Sequence, residues 1–377
     1  MTQHLRVLHL HSGNLYGGIE TVLTTLARMR DVCPEMESAF GLCFEDRLSE
    51  ELAAAGAEVH QLGEVRFSRP WTVWQARRRL SQLLSRERFD VALCHSTWSQ
   101  ALFQPALKRG SVSQVYWCHD VPGNSHWLDR LAACRRPDFV IANSRFTQAN
   151  LESLYPGVPS DICHPFPRPV GELGQTVRAD VRHELGERED AVVVLCAGRL
   201  ERFKGQAVLL EALSRLREIP NWACWIAGGA QRPAEVAYRD ELKQLAVAGG
   251  IADRVRFLGQ RADVPRLMAA SDIYCQPNLR PESFGLTFVE ALAAGLPVVT
   301  TALGGALEIM DESCGIFTAP GDVAQLAESL RWLASESNVR CALAAAGRAR
   351  AAEFNPRILL KQFVGTLDRV GSTCVTS

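Results

Sequence analysis

Short apolar runs alternate with longer amphipathic stretches along almost the whole chain, and this alternation limits the possible folds more than any other feature. In the first half the runs are LRVLHL, SAFGLC, AEVHQL, DVALCH, QVYWCH and DFVIAN; in the second they are AVVVLCAG, WACWIAG, RVRFLG, DIYCQP and LPVVTT. Runs rich in β-forming residues, bounded by Gly, Pro, Asp or His and separated by helical patterns, imply βαβ units and parallel sheets covered on both faces. At 377 residues the chain is too long for one ordinary core. The natural break is HPFPRPVGELGQTV, from His164 to Val177, where prolines remove ladder donors and restrain their predecessors. The expected organisation is α/β: a Rossmann-like doubly wound domain over 1–165, a second over 178–352, and a C-terminal helix over 353–377 packing back on the first. Open parallel sheets bind ligands beyond the carboxyl ends of their strands. Two such domains with a cleft between them would build one site from both sets of loops.

Composition removes several classes of function. A net charge of −1 supplies no positive field to gather nucleic-acid phosphates. The 12 cysteines include no CxxC pair, as a zinc site or redox dithiol would want, and several fall in apolar runs where a thiol acts as a small hydrophobe. A reducing, cytoplasmic setting is expected. The start, MTQHLRVLHLHSG, is too short in apolar residues for a leader or a membrane span and reads as a first buried strand.

Four stretches carry candidate chemistry. In HSGNLYGGIETVLTTLARM, Gly17 and Gly18 open an amphipathic helix, where bare backbone and free N–H groups suit an anion; a purely structural turn is the competing reading. In CAGRLERFKG, Arg199 and Lys204 follow a strand and could together neutralise a diphosphate, or form a solvated basic loop. In RPESFGLTFVEALAAG, Glu282 precedes a helix that starts near Phe284 or Gly285, and Glu290 lies about 9 Å further along its axis. Leu286, Val289, Leu292 and Ala293 form its expected buried stripe, and Gly295 with Pro297 ends it. Two carboxylates so placed could grip the ends of an elongated ligand, with the N–H groups of Phe284, Gly285, Leu286 and Thr287 as an anion site between them. Glu290 is otherwise a surface glutamate, though in so apolar a helix an unpaired charge would be costly. In QVYWCHDVPGNSHW, His119 and Asp120 fall at a strand end that would face the cleft.

Taken together these motifs resemble the family 4 glycosyltransferases, retaining enzymes of the two-Rossmann-domain fold called GT-B, along nearly the whole chain. The most specific is Glu-x7-Glu, here ESFGLTFVE, followed by ALAAGLPVVTT and GGALEI; GRLERFKG, YGGIE, the HD pair and ANSRFTQANL add to it in order. The resemblance implies that Glu282 serves the transferred sugar, Glu290 the nucleotide ribose, and Arg199 with Lys204 the diphosphate. It implies that Gly17 and Gly18 close on the phosphates, and that Gly259 to Arg261 contact the base through the backbone. The implied reaction is transfer from a nucleotide-diphosphate sugar, a UDP-sugar by family frequency, to an acceptor hydroxyl, with His119 positioning the sugar or stabilising developing charge. No cofactor or metal is expected, and no Asp-x-Asp motif occurs. Two other readings share the architecture: a sugar-nucleotide 2-epimerase and a non-catalytic sugar-nucleotide-binding protein. A nicotinamide dehydrogenase fits least, because no GxGxxG follows either domain's first strand.

The expected acceptor is a sugar, a lipid-linked group or a small molecule. Between Arg66 and Arg88 seven arginines stand against one acid, Glu87, with Trp71 and Trp74 beside them. A basic helix with tryptophans can lie on an anionic bilayer at the inner membrane face. The plainer reading, an ordinary surface helix with Leu80, Leu83 and Leu84 buried and its arginines solvated, is preferred on sequence.

Overall fold

The computed structural model describes residues 4–13, 15–110, 112–121, 127–169, 174 and 176–374. The chain forms two compact units, Met1–Arg168 with Asn355–Ser377, and Pro169–Phe354. Part of the proline-glycine break (170–173 and 175) and part of the loop after Val121 (122–126) lie outside the described residues.

The first unit holds a seven-stranded sheet: β1 (Leu5–His11), β2 (Met36–Leu42), β3 (Glu58–Gln61), β4 (Val91–Cys94), β5 (Ser113–Cys118), β6 (Phe139–Ala142) and β7 (Ser160–Ile162). Its order is β3-β2-β1-β4-β5-β6-β7. The second unit holds six strands: β8 (Val192–Ala197), β9 (Trp222–Ala227), β10 (Val255–Gly259), β11 (Ile273–Gln276), β12 (Val298–Thr301) and β13 (Gly315–Thr318). Their order is β10-β9-β8-β11-β12-β13. The paired strands run parallel in both sheets. All eleven apolar runs of the sequence become strands; the central ones read as continuous apolar runs because helices on both faces bury their side chains, whereas the outer strands β3 and β10 are only partly buried. In both sheets the direction of winding reverses beside the first strand, between β1 and β4 and between β8 and β11. Loops leaving those strands at their carboxyl ends diverge and open a crevice.

Packing follows the pattern. In the first unit Leu8, Leu10, Ala92, Phe103 and Tyr116 join the side chains of the helices that flank the sheet. In the second Val194, Leu209, Leu213, Ile226, Leu242 and Leu330 do the same. The C-terminal helix Pro356–Cys374 packs on β4, β5 and the turn Arg30–Val32. It buries Leu359, Leu360, Phe363, Val364 and Leu367. Phe363 lies flat on Trp117 of β5, with ring centroids 4.7 Å apart.

Candidate active site

In the second unit, both strands at the reversal end in loops that carry the predicted residues. β8 leads into Gly198–Gly205, with Arg199 and Lys204; β11 leads into Pro277–Gly285, with Glu282. Gly205 sits at φ +75 at the entry to the helix Gln206–Ser214, and a Cβ there would lie 1.9 Å from the carbonyl oxygen of Pro277. Only glycine allows the two loops to come this close.

The approach brings Lys204 and Glu282 into direct contact: the ammonium donates to Oε1 of the carboxylate. Gln276 Nε2 and Asn278 Nδ2 hold the other oxygen at 2.9 and 3.0 Å. The side chains of Lys204 and Glu282 retain only 13% and 18% of their exposure. Burial pushes the Glu282 carboxyl up, but the charge of Lys204 and hydrogen bonds from Lys204, Asn278 and Gln276 outweigh it and hold it below the usual carboxylate range. The sequence offers Lys204 for a diphosphate or a solvated loop, and the family resemblance implies Glu282 for the sugar; neither foresees that the two pair. Gln276 and Asn278, in YCQPN, were missed altogether; short polar residues just past a buried strand were the available signal.

Arg199 pairs with Glu201 at 3.2 Å and keeps about a third of its exposure. The helix after Glu282 runs from Leu286 to Ala293, with Gly285 at φ 107 as its N-cap. The buried set differs from the predicted stripe: Phe288, Val289, Glu290, Ala291 and Leu292 are inside, whereas Leu286 and Ala293 are half-buried. The helix is packed on more than one side, since the helix Ser337–Ala351 presses against it and a Cβ at Gly347 would lie 2.9 Å from Leu292. Glu290 is therefore a buried glutamate, 5% exposed, not a surface one. Phe284 is buried edge-on to Phe354, while Leu286 and Thr287 remain half-buried at the helix start. Gly259 ends β10 at φ +66 beside a register shift. The side chain of Arg261 is tied to Asp263 at 2.7 Å and to Glu184 at 3.0 Å.

In the first unit Gly17 caps the helix Gly18–Arg28, and its N–H donates to Glu20 Oε2 at 2.7 Å. The other Glu20 oxygen meets His11 Nε2 at 2.8 Å. The Gly17 amide is thus already engaged, and Gly18 is the exposed glycine of the pair. His119 lies just past β5, 9% exposed, and its backbone carbonyl accepts from Asn143 Nδ2 at 3.1 Å. Burial pushes its imidazole down to about 3, with His11 adding to the effect. His119 is a neutral ring at ordinary pH.

The helix predicted in the basic segment runs from Pro70 to Arg86 with Val73, Ala76, Leu80 and Leu83 buried, and Leu84 is only half-buried. Arg77 is not solvated as expected: its Nε donates to the Leu102 carbonyl at 2.7 Å. Trp71 and Trp74 are 59% and 60% exposed. Phe67 meets Trp98 and Trp127 at centroid distances of 4.8 and 5.3 Å. Among the described residues no helix is long and apolar enough to cross a membrane.

Two family models divide the chain between them: Glycosyltransferase Family 4 matches residues 16–170, and Glycosyl transferases group 1 matches residues 177–350. The solved structure of Anabaena Alr3699/HepE in complex with UDP and glucose superposes with a TM-score of 0.87 at 26% identity, covering 97% of this chain and all of that one. The lipopolysaccharide core biosynthesis mannosyltransferase LpsB of Rhizobium meliloti is 28% identical over 75% of this chain and 74% of its own length. The GDP-mannose-dependent alpha-(1-6)-phosphatidylinositol monomannoside mannosyltransferase of Mycobacterium tuberculosis is 33% identical over 53% of this chain. The match spans about half (51%) of that protein. Fold and relatives define a two-domain α/β glycosyltransferase of the GT-B class. The chain belongs to the family 4 glycosyltransferases, and as an enzyme it is of the hexosyltransferase type.

Proposed function

We propose that this chain moves a hexosyl group from a UDP-sugar to an acceptor hydroxyl, with retention of anomeric configuration and without a metal ion. The observation that carries this reading is the Lys204–Glu282 pair at the reversal point of the second sheet, with Arg199 on the same loop. The ammonium and guanidinium supply the positive charge that a departing diphosphate requires, and one such preorganised group is worth ~3 kcal/mol in the transition state. The pair is also a latch. Because Gln276 and Asn278 fix Oε2, a phosphate that draws Lys204 away leaves Glu282 in place with Oε1 open to a sugar hydroxyl.

Breaking the bond between the anomeric carbon and phosphate oxygen sends its electron pair to the diphosphate. The acceptor oxygen attacks the same face, and its proton passes to the leaving phosphate oxygen. A UDP donor is supported by the full-length likeness to a protein solved with UDP and glucose, against a GDP-mannose-dependent relative matched over half the chain. Glu290 serves the ribose. The acceptor side takes a sugar or lipid-linked hydroxyl, and the exposed Trp71 and Trp74 on a basic helix fit an anionic membrane surface.

The test is thermal stability with UDP, GDP, ADP, TDP and their sugars in the presence of a chelator. Saturation at a hundred times the dissociation constant adds ~2.7 kcal/mol. UDP should stabilise most, and less so in Glu290→Ala. Stabilisation by GDP alone would overturn the donor assignment. A sugar covalently bound to Glu282 or Asp120 would overturn same-face attack, and turnover of the sugar nucleotide without any acceptor would indicate an epimerase.

A further inference from the structure

At the reversal point of the first sheet three imidazoles form a chain. His9 on β1, His95 directly after β4 and His119 directly after β5 belong to neighbouring strands. His9 Nδ1 lies 2.9 Å from His95 Nε2, and His95 Nδ1 lies 3.1 Å from His119 Nε2. His9 and His95 are fully buried. Phe40 stacks on His9 at 5.2 Å and Trp117 lies 4.7 Å from the His119 ring. The family motifs account for His119 only.

Each neutral imidazole has one donor and one acceptor. Burial keeps all three rings neutral: His9 and His119 are pushed down to about 3, and His95 well below the usual range, with its neighbours His9, His119 and His11 adding to the effect. Two contacts shared by three neutral rings allow two arrangements. If protons point from His9 outward, His9 and His95 donate from Nδ1, and His119 accepts at Nε2 and keeps its proton on Nδ1. If they point inward, His119 donates from Nε2, and His9 is left holding its proton on its own Nε2. That atom is buried without a hydrogen-bond partner among the described residues. A buried N–H with no acceptor is rarer than an under-satisfied acceptor, so the outward arrangement prevails.

We propose that His95 is a positioning residue which, backed by His9, fixes His119 as the neutral Nδ1–H tautomer, so that His119 meets the sugar as an N–H donor and not as an imidazolium. The role toward the sugar rests on the glycosyl-transfer reading above; the tautomer does not. A neutral donor also suits the chemistry, since a fixed imidazolium would repel the positive charge that grows on the sugar ring.

The experiment is a long-range nitrogen–proton NMR correlation on the full chain labelled with 15N-histidine, His119 being assigned by the loss of its signals in His119→Asn. The expected spectrum shows His119 protonated at Nδ1 and bare at Nε2 from pH 6 to 8. An Nε2–H or doubly protonated His119 would overturn the proposal. His95→Phe keeps the ring but cannot donate: His119 should lose its single tautomer, and turnover should fall about tenfold with donor KM unchanged, the size of one lost hydrogen bond. His95→Asn places an amide N–H where Nδ1 stood and should restore both. Unchanged tautomer and turnover in His95→Phe would refute the role of His95; if that variant does not fold, the wild-type and His95→Asn spectra decide. A wild type that binds no nucleotide would defeat the transfer reading and the donor role, while the same spectra still settle the tautomer.

Discussion

Acidification should weaken the first unit before the second, because three of its histidines are held neutral. Their folded affinities for protons are depressed, to about 3 for His9 and His119 and well below the ordinary range for His95, while the unfolded chain titrates near 6.5. Below 6.5 the unfolded state takes up protons that the folded state refuses. The stabilisation is therefore complete above that pH and is lost as pH falls toward 3. Each ring contributes a loss of about 1.2 kcal/mol between pH 7 and 5.5, so the chain of three gives about 4 kcal/mol, a large part of an ordinary domain's 5–15 kcal/mol. Carboxylates titrate mainly below this window, so they add little. Amide hydrogen exchange, corrected for intrinsic rates, reads the opening energies of β1, β4 and β5 separately from those of β8, β9 and β11. The first set should fall by that amount and the second by far less. His95→Asn, with one ring fewer, should lose about a third of the difference. An equal fall in both units, or a slope unchanged in His95→Asn, would refute the reasoning.

Other perturbations probe the second unit and the surface. Lys204→Ala should lower kcat/KM about a hundredfold through the lost charge at the leaving group, and should also destabilise the second unit by about 3 kcal/mol, because the Glu282 carboxylate stays buried without its cation; denaturant titration and initial rates measure the two effects. Gly205→Ala should cost more than about 2 kcal/mol, since the added methyl meets the Pro277 carbonyl in a left-handed conformation, and a melting temperature within a degree of wild type would contradict this. Flotation with anionic vesicles should carry the protein, and salt or the combination Trp71→Ser, Trp74→Ser, Arg78→Glu and Arg79→Glu should release it, at about 1 kcal/mol per basic residue. Arg77 is left out of that set because it holds the Leu102 carbonyl.

The strands were legible wherever burial on both faces forces an unbroken apolar run. The two that escaped, β7 and β13, are the outer strands of their sheets: Ser160–Ile162 has no fully buried residue and Gly315–Thr318 is buried only at its ends. An edge strand is covered less and need not be apolar; the other two outer strands, β3 and β10, stayed legible because AEVHQL and RVRFLG still carry apolar residues. At the site, Arg199, Lys204, Glu282 and Glu290 could be named because each lies in a loop or helix whose neighbours are of another character. Their partners could not. Lys204 and Glu282 are far apart in sequence and meet only because β8 and β11 become adjacent through the order of winding, which no local pattern encodes. The same holds for His9, His95 and His119. Each alone reads as one polar residue at a strand end, and only the placement of β1, β4 and β5 side by side makes them a chain.

That shared topology carries opposite electrostatics in the two units. At the reversal in the second, Arg199 and Lys204 provide positive charge, and Glu282 is kept ionised against its burial by the pairing with Lys204. At the reversal in the first, burial strips His9, His95 and His119 of charge, and the nearby His11 Nε2 contacts Glu20 at 2.8 Å. In glycosyl transfer negative charge grows on the diphosphate and positive charge on the sugar. Fixed cations help at the first centre and hinder at the second. Under the proposed transfer reaction, fixed cations at the reversal of the second sheet suit the diphosphate, and neutral imidazoles at the reversal of the first suit a sugar that gains positive charge. This division predicts that His95→Arg, whose guanidinium stays protonated even when buried, should impair turnover more than His95→Phe even where UDP binding is unchanged; equal activity in the two variants would show that the charge at this position does not matter.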